Sequence, residues 1–155
     1  MKKIVLMAAA LALATVAFAK PAKVAGWKDV SKIADKSKME VVSDDTNWYV
    51  AKGNGGKDFA FYAVKEFADA TITLAMSCVK GEVYSRISWV DKRAEAPYPV
   101  LAMNGGDEKC SLVNANQVEV YYDDQAIKQC TETLKKDFND ISSEVAKEYG
   151  LVIPR

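Results

Sequence analysis

Between residues 39 and 122 the apolar positions recur mostly at every second residue, and after residue 123 they recur at steps of three and four. The clearest period-two stretch is residues 70–90, ATITLAMSCVKGEVYSRISWV, which reads as two strands joined by Lys80-Gly81. With a two-residue turn there, Ile72 faces Trp89, Leu74 faces Ile87, Met76 faces Ser85 and Cys78 faces Val83. Side chains alternate across a strand, so these eight residues share one face. The other face carries Thr71, Thr73, Ala75 and Ser77 against Val90, Ser88, Arg86 and Tyr84. A slip of one residue would set Leu74 and Ile87 on opposite faces, so the pattern selects this register. Gly81 supplies the positive φ that such a turn needs. Lys80 is a poorer first turn residue and leaves a bulged variant open.

Residues 39–42 and 47–52 read as further strands separated by Ser43-Asp44-Asp45-Thr46, with Gly53-Asn54-Gly55-Gly56 as a flexible turn. Residues 58–67 form a strand rich in aromatic residues on both sides. Residues 100–103 form a short one, after a loop holding Pro97 and Pro99. Residues 110–113 and 117–122 pair as a last hairpin around Asn114-Ala115-Asn116. Then Asp123-Asp124 offers an N-cap, and Ile127, Cys130, Leu134, Phe138, Ile141 and Val145 make an apolar stripe at helical spacing. Gly150 is the expected stop, with Leu151 covering the end. A short amphipathic helix is predicted near residues 28–35, packing Trp27 and Ile33 on the domain with its lysines solvated. Strands segregated from helices predict an α+β fold: an antiparallel β-sheet or β-sandwich of about seven strands, covered by one long C-terminal helix. The stripe on that helix needs an apolar sheet face, and the Ile72, Leu74, Ile87, Trp89 face is the expected one.

The first residues change the picture of where this domain works. Met1-Lys2-Lys3 is basic, residues 4–18 are apolar with small residues, and Ala17-Phe18-Ala19 is an A-x-A cleavage site. Together these predict a secretory signal peptide over residues 1–19, cleaved after Ala19. The run is shorter than the ~20 residues of a membrane span. The expected organisation is a signal peptide (1–19), a basic N-terminal segment with a short helix (20–38) and a single globular domain (39–155), exported to the periplasm or beyond. Losing Lys2 and Lys3 from 21 basic residues leaves 19 against 21 acidic ones. That balance argues against nucleic acid as a partner, because phosphate binding needs a clustered basic face.

Export places Cys78, Cys110 and Cys130 where disulfides persist, and an odd count allows one bond and one free thiol. Cys110 sits beside the Gly105-Gly106 turn among polar residues, where a free thiol would oxidise, whereas Cys78 lies on an apolar strand face. Cys110–Cys130 is therefore ranked first, with Cys78–Cys130 and Cys78–Cys110 as alternatives. The chain has no histidine, which removes the usual catalytic base and the commonest metal ligand. No metal set and no cofactor motif stands out, and the Gly53–Gly56 turn lacks the Gly-Lys-Ser/Thr of a phosphate loop. Glu66, Asp69 and Glu82 are conceivable members of a carboxylate pair for glycoside hydrolysis. Ser31 and Ser37 lie among lysines with no supporting motif.

The stretch LAMSCVKGEVYSRISW, with the later AIKQC helix, resembles periplasmic β-rich proteins associated with type VI secretion in its apolar spacing and two cysteines. The resemblance covers under half of the mature chain, leaves Cys110 and the Gly-rich turns aside, and transfers no residue role. The expectation is an exported, non-enzymatic domain that binds an envelope protein or another macromolecule, with Tyr84 and Arg86 on the outer hairpin face as the candidate contact. Trp48, Tyr49, Tyr62, Tyr98 and Tyr121 add exposed-prone aromatics. The alternatives are a small-ligand or lipid carrier with a cavity between sheet and long helix, and a carboxylate hydrolase.

Overall fold

The structure is a computed structural model describing residues 26–92, 98–105, 107–113, 119–120 and 124–154; side chains at 119–127, 129 and 130 lie outside that description. The expected signal peptide falls outside it as well. One antiparallel sheet runs in chain order: β1 (Glu40–Asp45), β2 (Trp48–Gly53), β3 (Asp58–Glu66), β4 (Ala70–Val79), β5 (Glu82–Asp91), β6 (Tyr98–Asn104), β7 (Asp107–Val113) and the two-residue β8 (Glu119–Val120). Helices α1 (Trp27–Lys36) and α2 (Asp124–Tyr149) complete the α+β architecture. Each strand pairs only with its sequence neighbours, so the strands form a single meander instead of a sandwich.

The β4–β5 hairpin has the register that the alternation demands, from Thr71↔Val90 to Val79↔Glu82. Both turn residues take positive φ, 52° at Lys80 and 83° at Gly81, so the turn closes without a bulge. Left-handed geometry at Lys80 costs about 1–2 kcal/mol. Part of that is offset where the Lys80 N–H donates to Asp58 Oδ1 at 3.1 Å.

Strand β1 extends further than its sequence suggests, because Ser43, Asp44 and Asp45 are part of it and only Thr46-Asn47 turns the chain. An edge strand needs no apolar outer residues, and charged ones discourage pairing with other chains. The Asn47 N–H donates to Asp45 Oδ1 at 3.1 Å and tightens this turn. A bulge falls at Val42, where the pairing jumps from Val41↔Ala51 to Ser43↔Val50.

The sheet is apolar on both faces. On the inner face Phe59, Phe61, Leu74, Met76, Ile87 and Leu101 are buried under Leu134, Ile141 and Val145 of α2. Burying such side chains stabilises by about 1.5–3 kcal/mol each. The Ile72, Leu74, Ile87, Trp89 face is thus the one α2 covers, as expected; Ile127 and Cys130 lie outside the described side chains. At ~1.5 Å per residue α2 is about 39 Å long. It crosses the sheet diagonally, from a Lys135–Glu108 ion pair on β7, past Lys65–Glu144 on β3, to Lys52 on β2. The Lys52 ammonium donates to the Tyr149 carbonyl at 2.7 Å, placing a cation at the negative end of the helix dipole. Leu151 is buried behind Gly150, as the stop signal implied.

On the outer face α1 lies across β2–β4 and buries Val30 and Ala34 against Tyr49, Ala51, Ala60 and Ala75. Small residues on the strands let the helix sit close. Trp27 meets Tyr49 edge-on, with ring centroids 5.8 Å apart, yet stays 42% exposed.

Candidate functional site

Helix α1 ends at Lys36, so it covers only part of the outer face. Next to it, towards the β4–β5 turn, a groove of about 380 Å³ lies between α1 and the sheet. Ile33 of α1, Ser77 and Val79 of β4, and Glu82 and Tyr84 of β5 line it. The register explains the grouping: Ser77 faces Tyr84, Val79 faces Glu82, and all four side chains emerge on the same side. Ala75 and Ser77 are 0% and 1% exposed, so the wall is small and tightly held.

Tyr84 and Arg86, the two candidate contact residues, both lie on this face and are half-buried. Tyr84 is part of the groove wall. Arg86 stands one row further from the turn, between Ala75 and Ala102, and does not line the groove. Each already has an interaction partner. Two carboxylates flank Val79 at the turn end of the groove. One is Glu82, its cross-strand partner; the other is Asp58, whose outward side chain precedes the inner Phe59 and accepts the Lys80 N–H. Asn104, paired with Tyr84, directs a buried Oδ1 that has no hydrogen-bond partner among the described residues. The groove is therefore an apolar slot with the Glu82 carboxylate at its rim, suited to binding and without a nucleophile–base pair among its lining residues.

The other sequence candidates do not converge. Glu66 and Glu82 sit at opposite ends of the hairpin, about 26 Å apart at ~3.3 Å per residue. Glu66 accepts a hydrogen bond from Thr71 at 2.6 Å and pairs with Lys92 at 3.2 Å, which hold its carboxyl below the usual range. The Asp69 carbonyl accepts the Lys92 N–H near Glu66, far from the groove. Ser31 donates to its own helix at the Lys28 carbonyl, not to a lysine amine. Tyr49, expected among the exposed-prone aromatics, is buried under α1; burial and then Asp35 and Asp44 push its hydroxyl pKa up. Trp48 and Tyr62 are half-buried against the inner and outer cores respectively, and Tyr121 lies outside the described residues.

Cys78 is buried and free, and burial pushes its thiol pKa up. Cys110 is buried too and is disulfide-bonded. A Cys78–Cys110 bond is ruled out by the sheet: three strand spacings, about 14 Å, separate them across it. The Cys130 side chain lies outside the described residues. Among the described residues there is no group of three or more His, Cys, Asp or Glu side chains that could hold a metal, and no helix long and apolar enough to cross a membrane.

The sequence pattern already set Ser77 opposite Tyr84, whereas Ile33 and Val79 join them only in the structure. The available signal was the small outer residue Ala75, beside Ser77, which suits a packed helix as well as water. Comparison of the chain with protein-family models, curated proteins and solved structures returns no match.

Proposed function

We propose that this protein is an exported, non-enzymatic binding protein of the cell envelope, which engages another macromolecule through the outer-face groove. The observation that carries this reading is the groove itself. Ligand-binding clefts are concave, mostly apolar and carry a few placed polar groups, and about 380 Å³ is within their usual range. It is open on one side, which suits a side chain presented by a partner more than a ligand sealed from water. Signal-peptide features at residues 1–19 support export, with cleavage after Ala19. The absence of histidine and the scattered carboxylates support a non-enzymatic role. In this reading Tyr84 supplies the aromatic contact that interfaces favour, and Arg86 extends the surface beyond the groove.

The test is site-specific photocrosslinking in living cells, with the crosslinker at position 79 in the groove and at exposed position 143 on α2 as the control. The reading predicts one discrete adduct from position 79, lost when Tyr84→Ala is added, and none from position 143. Adducts from both positions, or from neither, would overturn it.

A small-ligand carrier is the second reading, favoured by the groove volume alone. It moves the binding space from between sheet and α2, where it was expected, to the α1 side. Native mass spectrometry that finds a bound small molecule displaced by Tyr84→Ala would support the carrier.

A further inference from the structure

We infer that Asn54 is a site of spontaneous covalent modification, where the chain converts its own side-chain amide to a carboxylate and so loosens the docked end of α2. The sequence holds two Asn-Gly-Gly triplets, at residues 54–56 and 104–106. An asparagine before glycine is open to attack by the following backbone nitrogen, because glycine has no Cβ to obstruct the five-membered ring that forms. Both triplets offer the same reacting groups, so the fold decides which asparagine reacts.

In the first triplet those groups are free. Asn54 is exposed, and a Cβ added at Gly55 would meet nothing within 4 Å. The Gly55 N–H makes no hydrogen bond among the described residues; the turn is closed instead from the Lys57 N–H to the Asn54 carbonyl at 3.2 Å. In the second triplet they are held. The Gly105 N–H donates to the Val83 carbonyl at 2.9 Å. Asn104 is registered in the sheet between Tyr84 and Asp107, with its Oδ1 buried.

The reaction needs water and no other reagent, and nothing is oxidised or reduced. The Gly55 nitrogen gives its proton to solvent and bonds to Asn54 Cγ. The Cγ–Nδ2 bond breaks, and Nδ2 takes a proton from solvent and leaves as ammonia. Water then adds to one of the two carbonyl carbons of the cyclic imide and opens it. Breaking the bond from nitrogen to Cγ leaves an aspartate with the backbone unchanged. Breaking the bond to the original main-chain carbon leaves an isoaspartyl link, whose backbone runs through Cβ and is longer by that carbon.

The longer product disturbs a contact with no slack. The Gly56 carbonyl accepts the Val152 N–H at 2.9 Å, and a Cβ on Gly56 would lie 2.1 Å from the Gly150 carbonyl oxygen. Lengthening the chain two residues earlier shifts this contact and strains the neighbouring Lys52–Tyr149 bond. Isoaspartate therefore releases the end of α2, whereas aspartate leaves it docked.

The test incubates the processed full-length protein at neutral pH, folded and in urea. Peptide mapping with fragmentation that separates isoaspartate from aspartate follows both asparagines. In the folded protein Asn54 should convert more than about tenfold faster than Asn104, the factor that about 1.4 kcal/mol of barrier supplies, since Asn104 must first give up the Gly105–Val83 bond. In urea the two should convert at matching rates. Asn54→Ser should abolish the modification at 54 and leave Asn104 as it was. The isoaspartyl species, isolated by anion exchange, should melt below the unmodified protein and exchange amide hydrogens faster at residues 145–152. Comparable rates at the two sites in the folded protein, an Asn54 that stays intact when folded, or a preference that persists in urea would each overturn the assignment to the fold. An isoaspartyl species that melts like the unmodified protein would overturn the release of α2.

Discussion

Replacing Gly56 by alanine isolates the contact that docks the end of α2 onto the sheet. A Cβ at Gly56 would lie 2.1 Å from the Gly150 carbonyl oxygen and 3.3 Å from Leu151 Cα. Ordinary contact begins at 3.4 Å, so the two backbones would have to part by about 1.3 Å. That motion breaks the hydrogen bond from the Val152 N–H to the Gly56 carbonyl, now 2.9 Å, and pulls on the Lys52–Tyr149 bond. Gly56 also sits at φ 90°, which costs an alanine about 1–2 kcal/mol. Adding about 1 kcal/mol for each of the two weakened hydrogen bonds gives a loss of about 3–4 kcal/mol. For a domain of this size that lowers the melting temperature by roughly 12–16 °C.

Gly55→Ala is the matched control. Its φ is 64° but nothing lies within 4 Å of the added methyl, so only the backbone strain should register. Thermal and urea melts of both variants decide the matter. If Gly56→Ala is no less stable than Gly55→Ala, the close approach of this loop to α2 is not a source of stability and the reasoning fails.

Other variants probe separate parts of the structure. Ser85 is 1% exposed on the inner face with no hydrogen-bond partner for its Oγ among the described residues, so Ser85→Ala should raise stability by about 1 kcal/mol in urea melts; a loss of that size would mean the hydroxyl is satisfied. Non-reducing peptide mapping should find Cys110 joined to Cys130 and Cys78 as a free thiol, with the bond contributing about 2–4 kcal/mol; three free thiols or a bond to Cys78 would refute the pairing. Asp137 has its carboxyl pKa pushed above the ordinary value by burial and by Asp140, against an opposing pull from Lys136. A raised carboxyl pKa means that the folded state disfavours the charged form, so the penalty is present at neutral pH and fades as pH falls through the folded pKa. Asp137→Asn should therefore raise the melting temperature at pH 7 and leave it unchanged near pH 3; equal shifts at both would contradict this.

The parts of this fold that rest on local pattern were legible in the sequence. The β4–β5 register followed from one face of Ile72, Leu74, Ile87 and Trp89 and a two-residue turn, because a period of two admits no slip without exposing them. The stripe through Leu134, Ile141 and Val145 identified the face of α2 that packs. Nothing in Thr71, Thr73, Ala75 and Ser77 marks the outer sheet face as covered, yet Ala75 and Ser77 are buried beside α1 and the groove. Small residues are ambiguous in this way: they suit water and a closely packed helix equally. The groove was missed for the same reason, as Ile33 and Val79 come from elements far apart in the chain. Likewise, the glycines at 53–56 announced a turn, but only the approach of Gly150 explains why Gly56 cannot carry a side chain.

The central claim is that the groove between α1 and the β4–β5 turn is where this protein meets its partner. Hydrogen exchange measured with and without the partner identified by crosslinking tests it most directly. The account predicts slowed exchange in residues 33–38 and 77–84, with α2 residues 131–149 unchanged. Protection confined to α2 or to the β1 edge, with the groove exchanging as in the free protein, would contradict it.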